Sequence, residues 1–441
     1  MSIQVISIFG LVVVFTISTA LPVHMGALAF CAAFVIGTTV VGESTKTIIA
    51  GFPGDLFLVL VGVTLLFAIA KENGTIDWLV HRSVRMVGGR IAAMPWVMFA
   101  VTALLTSFGA VGPAAVAIIA PIGMGFAARY KIKPVLMGLM VANGSSAGGF
   151  SPLGIFGGIV NRVVEGKGLP TSPLALFLSS MLFNIGLCVV VFFLFGGRAL
   201  LGKRDSRHAG KQDRAGGGAY PAAKSSTGAG ATAAVEESAE GSLSLNLNRA
   251  LTLAGIGGLA VGALAFGLDI GFMSISVAAL LSLAAPNQTK KAVDKVAWST
   301  VLLICGIVTY VALMERIGTI ALLGDSVAGI GAPLLAAMLI CYIGAVVSAF
   351  ASTTGILGAL IPLAVPFLLS GDIGAVGVII ALSISASVVD SSPYSTSGAL
   401  VVANSGAESD TVYRQLMIWG FSMVAIAPIL TWLIFILPGW R

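Results

Sequence analysis

Asn143-Gly-Ser-Ser-Ala-Gly-Gly-Phe-Ser-Pro-Leu-Gly154 and Ser385-Ala-Ser-Val-Val-Asp-Ser-Ser-Pro-Tyr-Ser-Thr-Ser-Gly398 decide how this chain is read. Both lie inside long apolar runs, 134–160 and 374–402, where a membrane helix would otherwise continue. Pro152 and Pro393 remove a helical donor and the glycines loosen the ladder, so each segment is expected to unwind halfway along its span. Unwound backbone at that depth is tolerated only where it is buried in protein or lines a cavity. It then presents carbonyl oxygens and Ser/Thr hydroxyls, hard ligands that suit a small cation. The restarting half-helix adds amide donors and a positive dipole end, which suit a carboxylate.

The composition around these segments is that of a membrane protein. Of 441 residues 57% are apolar and only 10% are charged, with a mean hydropathy of +1.04. A soluble chain carries about 25% charged residues. This excludes a soluble enzyme, a disordered chain and a disulfide scaffold, and leaves an all-α polytopic membrane protein. Cys31, Cys188, Cys305 and Cys341 each stand alone in apolar runs and read as small core residues. The net charge of +6 follows the loops, so no nucleic-acid partner is expected. Met1 to Gln4 carries no basic residue, so no cleavable signal is expected.

Runs of membrane length lie near 3–20, 25–41, 55–70, 134–160, 172–197, 249–267, 270–285, 297–314, 374–402 and 413–437. Two more, 92–128 and 333–370, are broken by Ser107-Phe-Gly-Ala-Val-Gly-Pro113 and Ser348-Ala-Phe-Ala-Ser-Thr-Thr-Gly355. Each is either two spans with a tight turn or a re-entrant hairpin, with the same sidedness; reading them as re-entrant hairpins gives ten spans, five per half. That arrangement puts 19 of the 24 Lys and Arg on one side, which the positive-inside rule makes cytoplasmic. Both termini then fall outside. Residues 199–246, rich in Gly, Ala, Ser and Glu, read as a flexible cytoplasmic linker between halves 1–198 and 247–441. Residues 75–88 are amphipathic and basic, and are expected to lie along the interface with Trp78 at the lipid headgroups.

The halves repeat. Gly62, Ala68 and Gly74-Thr75-Ile76 recur 244 residues later as Gly306, Ala312 and Gly318-Thr319-Ile320. At a spacing of 241, Ser107, Pro121, Ser146, Ser151-Pro152 and Gly157 recur as Ser348, Pro362, Ser387, Ser392-Pro393 and Gly398. Five spans separate matched elements, so the second half is inserted upside down. An inverted repeat with helices broken at matching positions points to a secondary transporter with its site at the midplane.

Asp390 is the one acidic residue placed deep in a span, where an ionisable group is costly and marks function. Coordinating a cation or carrying a proton fits it; capping the restarted helix is the structural alternative. Gly144-Ser-Ser146-Ala-Gly148 fits the G-x-S-x-G pattern of hydrolases, but His24, His81 and His208 all lie in loops or at the interface, so no base is expected at Ser146 and no enzyme activity is assigned.

With these residues in place, the paired hairpins and Ser/Gly/Pro breaks resemble the ion transporter superfamily, which includes the divalent anion–sodium symporters. Phe52-Pro-Gly-Asp55, Ala110-Val-Gly-Pro113 and Asn143 through Pro152 look most like the MatC-type malonate (dicarboxylate) carriers. The resemblance implies an elevator-type homodimer in the cytoplasmic (inner) membrane that takes up a small dicarboxylate, malonate foremost, with sodium as coupling ion and no organic cofactor. The alternative is a proton-coupled organic-anion carrier or antiporter using Asp390. In the symporters a Ser-Asn-Thr signature marks each hairpin tip. Here the second tip reads Ser352-Thr353-Thr354, a near match, and the first reads Val111-Gly112-Pro113, a departure. By the family pattern one sodium would sit among Ser107, Gly112, Asn143, Ser145, Ser146 and Gly148. A second would sit among Ser348, Ser352, Thr353, Ser385, Ser387 and Asp390. Substrate would lie among Gly112, Pro113, Ser151, Pro152, Thr353, Thr354, Ser392, Pro393 and Ser395.

Overall fold

The computed structural model describes residues 2–86, 88, 90–203, 245–320, 322, 332–350, 353–369 and 373–439. Ser352 of the second tip and positions 204–244 of the expected linker lie outside the described residues. The described chain is helical. Seven helical stretches are long and apolar enough to cross a membrane, and six of the ten expected spans are among them. The largely exposed side chains of Leu182, Leu264, Phe266, Phe272 and Leu283 suit acyl chains rather than water.

In the first half, α1 (Ile3–Ala20) and α2 (Met25–Val35) precede the short α3 (Thr45–Ala50). After them come α4 (Gly54–Glu72) and the amphipathic α5 (Thr75–Met86). The helices α6 (Met94–Ser107) and α7 (Gly112–Tyr130) form a hairpin. Its tip turns at Gly109, whose φ of 102° and closeness to the Leu153 carbonyl leave no place for a side chain. Next, α8 (Pro134–Gly149) breaks and restarts as α9 (Ile155–Glu165), and α10 (Pro173–Leu194) closes the half. The second half holds α11 (Leu247–Phe266), α12 (Ile270–Ala284) and α13 (Trp298–Arg316). A second hairpin of α14 (Pro333–Phe350) and α15 (Thr353–Leu369) follows. Then α16 (Ala375–Val388) breaks and restarts as α17 (Thr396–Ala403), and α18 (Ser409–Thr431) ends the fold.

The helix starts keep the spacing of the sequence matches. α1 and α11, and likewise α4 and α13, begin 244 residues apart. The pairs α7 and α15, α8 and α16, and α9 and α17 each begin 241 apart. Packing is exchanged between halves in the same register: α4 lies on α12 and α13 on α2, while α9 lies on α15 and α17 on α7.

Two bundles result. The hairpins, α10 and α18 wrap α8 and α16, whose residues are almost all buried, around the largest apolar cluster. α1, α2, α4, α11, α12 and α13 form the other bundle, and α13 against α15 is the main helix pair between the two. Ion pairs join the bundles at one end only among the described residues. Arg162 at the end of α9 meets Asp55 at 2.9 Å and Asp269 at 3.3 Å, and Lys167 meets Glu315.

One expectation needs correction: the unwinding is shorter than the quoted segments. Asn143 to Gly149 and Ser385 to Val388 stay helical, and the α-helical path is lost only over 150–154 and 389–395. The prolines sit inside those short stretches, where they act as expected. Gly144 and Gly148 serve a different purpose. A Cβ there would meet the Phe99 carbonyl at 2.5 Å and the Ala103 carbonyl at 2.0 Å, so the two glycines let α8 press against α6.

Candidate functional site

The two breaks are built alike. At the first, the Ser151 hydroxyl donates to the Ser107 carbonyl of the hairpin tip. At the second, the Ser392 hydroxyl donates to the Ala349 carbonyl at 2.8 Å. Each restarted helix then leans on the break through a glycine at the equivalent position. A Cβ on Gly157 would lie 2.1 Å from the Ser151 carbonyl, and one on Gly398 would lie 1.9 Å from that of Ser392. Between the breaks the Ser146 hydroxyl donates to the Ser387 carbonyl at 3.2 Å. These two serines stand 241 residues apart, the spacing of the sequence matches, and the halves touch there.

Around the first break, Gly112 at the start of α7 faces α8 so closely that an added Cβ would lie 2.7 Å from the Ser145 hydroxyl. Gly112 and Ser145 are thus drawn together by hairpin and broken helix, while Gly148 lies against Ala103 and Thr106 and Ser107 is held by Ser151. Asn143 is buried and spends its amide on the Leu139 carbonyl of its own helix, at 2.8 Å. Ser146 faces the other half instead of the hairpin. Pro113 and Pro152 are half-buried. The N-cap positions of α7 and α9 are Val111 and Gly154, and neither makes a side-chain cap. Two sets of first-turn amides are therefore left without a side-chain acceptor.

The second break is richer in hydroxyls. Ser397 donates to the Asp390 carboxylate at 2.6 Å, and the Thr353 hydroxyl at the start of α15 also faces that carboxyl. Thr353 pairs with Ser348 at 3.0 Å. Ser395 caps α17, accepting from the Gly398 amide at 3.2 Å while donating to the carbonyls of Asp390 and Ser392. Thr354 and Pro393 are buried beside this cluster. Ser385 stands apart, paired with Thr431 of α18 at 2.8 Å, and the Ser387 hydroxyl turns back to Ile384.

Sequence reasoning missed Ser397, Thr106 and Ser180. Ser397 holds the one buried carboxylate among the described residues, Thr106 touches Gly148, and Ser180 reaches the Ser146 carbonyl at 3.4 Å. Ser397 could have been found, since a Ser-Thr-Ser run just past a helix break supplies both the cap and a second hydroxyl two residues further on. The other two depend on helix pairings that no local pattern announces.

Chemically, the second break offers a carboxylate ringed by hydroxyls and carbonyls, a setting for a small cation. The first offers uncapped helix starts, a setting for an anionic group. No described Lys or Arg is buried with either.

Residues 1–149 match the family model described as the dicarboxylate carrier protein MatC N-terminus. No curated protein matches the chain. The match spans the first hairpin and ends with the last residue of α8, at the edge of the first break. Over that first third of the chain, the resemblance to the MatC-type dicarboxylate carriers holds.

Proposed function

We propose that this protein is a secondary transporter that takes up a small dicarboxylate, malonate foremost, together with sodium across the cytoplasmic membrane. The observation that carries the reading is the pair of matched breaks, each tied to a hairpin tip and joined to the other at Ser146 and Ser387. The match of residues 1–149 to a dicarboxylate carrier family supplies the substrate class.

The two breaks divide the work. Asp390, Thr353, Ser348 and Ser397 hold the cation, and the uncapped starts of α7 and α9, with Ser151 beside them, receive a substrate carboxylate. With no buried Lys or Arg among the described residues, the bound cation and the helix ends together supply the positive field that a dianion requires. This makes substrate binding depend on the cation and couples the two. The bundle holding both hairpins meets the other mainly through α13 and α15, and movement of one past the other in a homodimer would give alternating access. A proton taken up by Asp390 is the competing coupling scheme, favoured only by the burial of that carboxyl.

A single cysteine tests the site. In a Cys31→Ser background, which removes the one exposed thiol among the described residues, Thr354→Cys should alkylate several-fold more slowly with malonate and sodium together than with either alone. Equal rates in all conditions would overturn the placement of the shared cation and substrate site beside the second tip.

A further inference from the structure

The end at which ion pairs join the two bundles is built around Arg162, in the last turn of α9. Its guanidinium forks: Nη1 donates to the Asp55 carboxylate at 2.9 Å and Nη2 to that of Asp269 at 3.3 Å. One side chain of the break-bearing bundle thus holds two acids of the other bundle at a single place. Those acids are themselves fixed. Asp55 lies in the first turn of α4, and Asp269 caps α12, accepting from the Phe272 amide at 2.9 Å. Both stand at positive helix ends that favour the charged carboxylate, and α4 packs along α12, so together they form a firm receptor for one cation. Further on, Lys167 pairs with Glu315 near the end of α13.

Beneath these pairs the seam is apolar. Ile155 and Ile159 of α9 share one cluster with Leu56 and Leu60 of α4 and with Ile304 of α13, and Ile159 is 1% exposed. α9 has only 11 residues between the first break and its end, so a shift at the break is carried to Arg162. The matched helix of the other half has no such fitting. At the spacing of 241, Ile155 and Arg162 correspond to Thr396 and Ala403 of α17, where Thr396 is exposed and Ala403 carries no charge. The pairs are therefore an addition to one half and not a product of the repeat. With Arg162 24% and Lys167 30% exposed, each pair is individually weak. Weak pairs across a moving seam can close it without trapping it closed.

We propose that Arg162 and Lys167 form an ionic latch that holds this end of the seam shut, and that its release lets α9 part from α4 and α13. Release leaves Asp55 and Asp269 side by side without their shared counter-charge, which favours closing again. The inference rests on the reading that the two bundles move past one another. It needs no identity for the substrate or the coupling ion.

The test places a thiol beneath the latch, Ile159→Cys in the Cys31→Ser background, and follows its alkylation by a water-soluble maleimide in the purified full chain. No malonate is added and choline replaces sodium, so a failed substrate reading leaves the result intact. Arg162→Gln should raise the rate several-fold. Asp55→Asn or Asp269→Asn alone should raise it less than the two together, since either acid still holds the arginine; Asn at 269 also keeps the cap of α12. Lys295→Gln, which breaks the Glu72 pair inside one bundle, should leave the rate unchanged. An unchanged rate in Arg162→Gln would overturn the latch, and so would an equal rise in Lys295→Gln, which would mean general loosening. Malonate uptake by the same Arg162→Gln protein separates the two readings: accumulation with an unchanged alkylation rate removes the latch alone.

Discussion

Asp390 is the only buried acidic side chain among the described residues, and what surrounds it determines what it can do. Ser397 and Thr353 give the carboxylate hydroxyl partners from two different elements, one past the break and one on the hairpin. A carboxylate that only capped α17 would not need the hairpin, and α17 already has its cap in Ser395. Asp390→Asn keeps the shape and removes the charge. The sodium concentration for half-maximal uptake should rise about tenfold, the equivalent of about 1.4 kcal/mol, while malonate affinity at saturating sodium moves far less. A sodium dependence unchanged in Asp390→Asn, measured as initial uptake rate against sodium concentration, would remove this residue from the cation site.

At the scale of helices, the breaks show what sequence can and cannot convey. The positions of Pro152 and Pro393 announce the breaks, and the shared spacing of Ser151 with Ser392 and of Gly157 with Gly398 announces that they are equivalent. Their length was not legible, because glycine has two uses inside a membrane helix. Gly144 and Gly148 loosen nothing; they lie against the Phe99 and Ala103 carbonyls and let α8 and α6 approach. The same ambiguity hid the partner of Ser146, whose hydroxyl crosses to Ser387 although nothing in its own stretch points there. The helical role of Gly148 carries a prediction. Gly148→Ala forces a methyl against Ala103 and Thr106 and should cost about 1–3 kcal/mol of stability by overpacking. Gly158→Ala, with open space where its Cβ would go, should be nearly neutral. Thermal unfolding of the two purified variants in one detergent checks this, and similar melting temperatures would mean that α6 and α8 are not held as described.

The whole molecule is two interlocked halves, each lending helices to the other, with a thin seam between a bundle that holds both breaks and a bundle that holds neither. The matched spacing of the helix starts was readable because small and proline residues recur at fixed spacing. The exchange of α4 onto α12 and of α13 onto α2 was not, since long-range pairing leaves no trace in a single span. Among the described residues the ion pairs of Arg162 and Lys167 close the seam at one end alone, although the helix starts of the two halves keep matched spacing. The central claim is that this body concentrates a small diacid using an ion gradient, and uptake of radiolabelled malonate into proteoliposomes tests it most directly. With sodium outside and no proton gradient, malonate should accumulate above the external concentration, and Gly398→Ala, which closes the second break against the Ser392 carbonyl, should abolish that accumulation. Malonate that merely equilibrates across the membrane, or that accumulates undiminished in Gly398→Ala, would contradict the account.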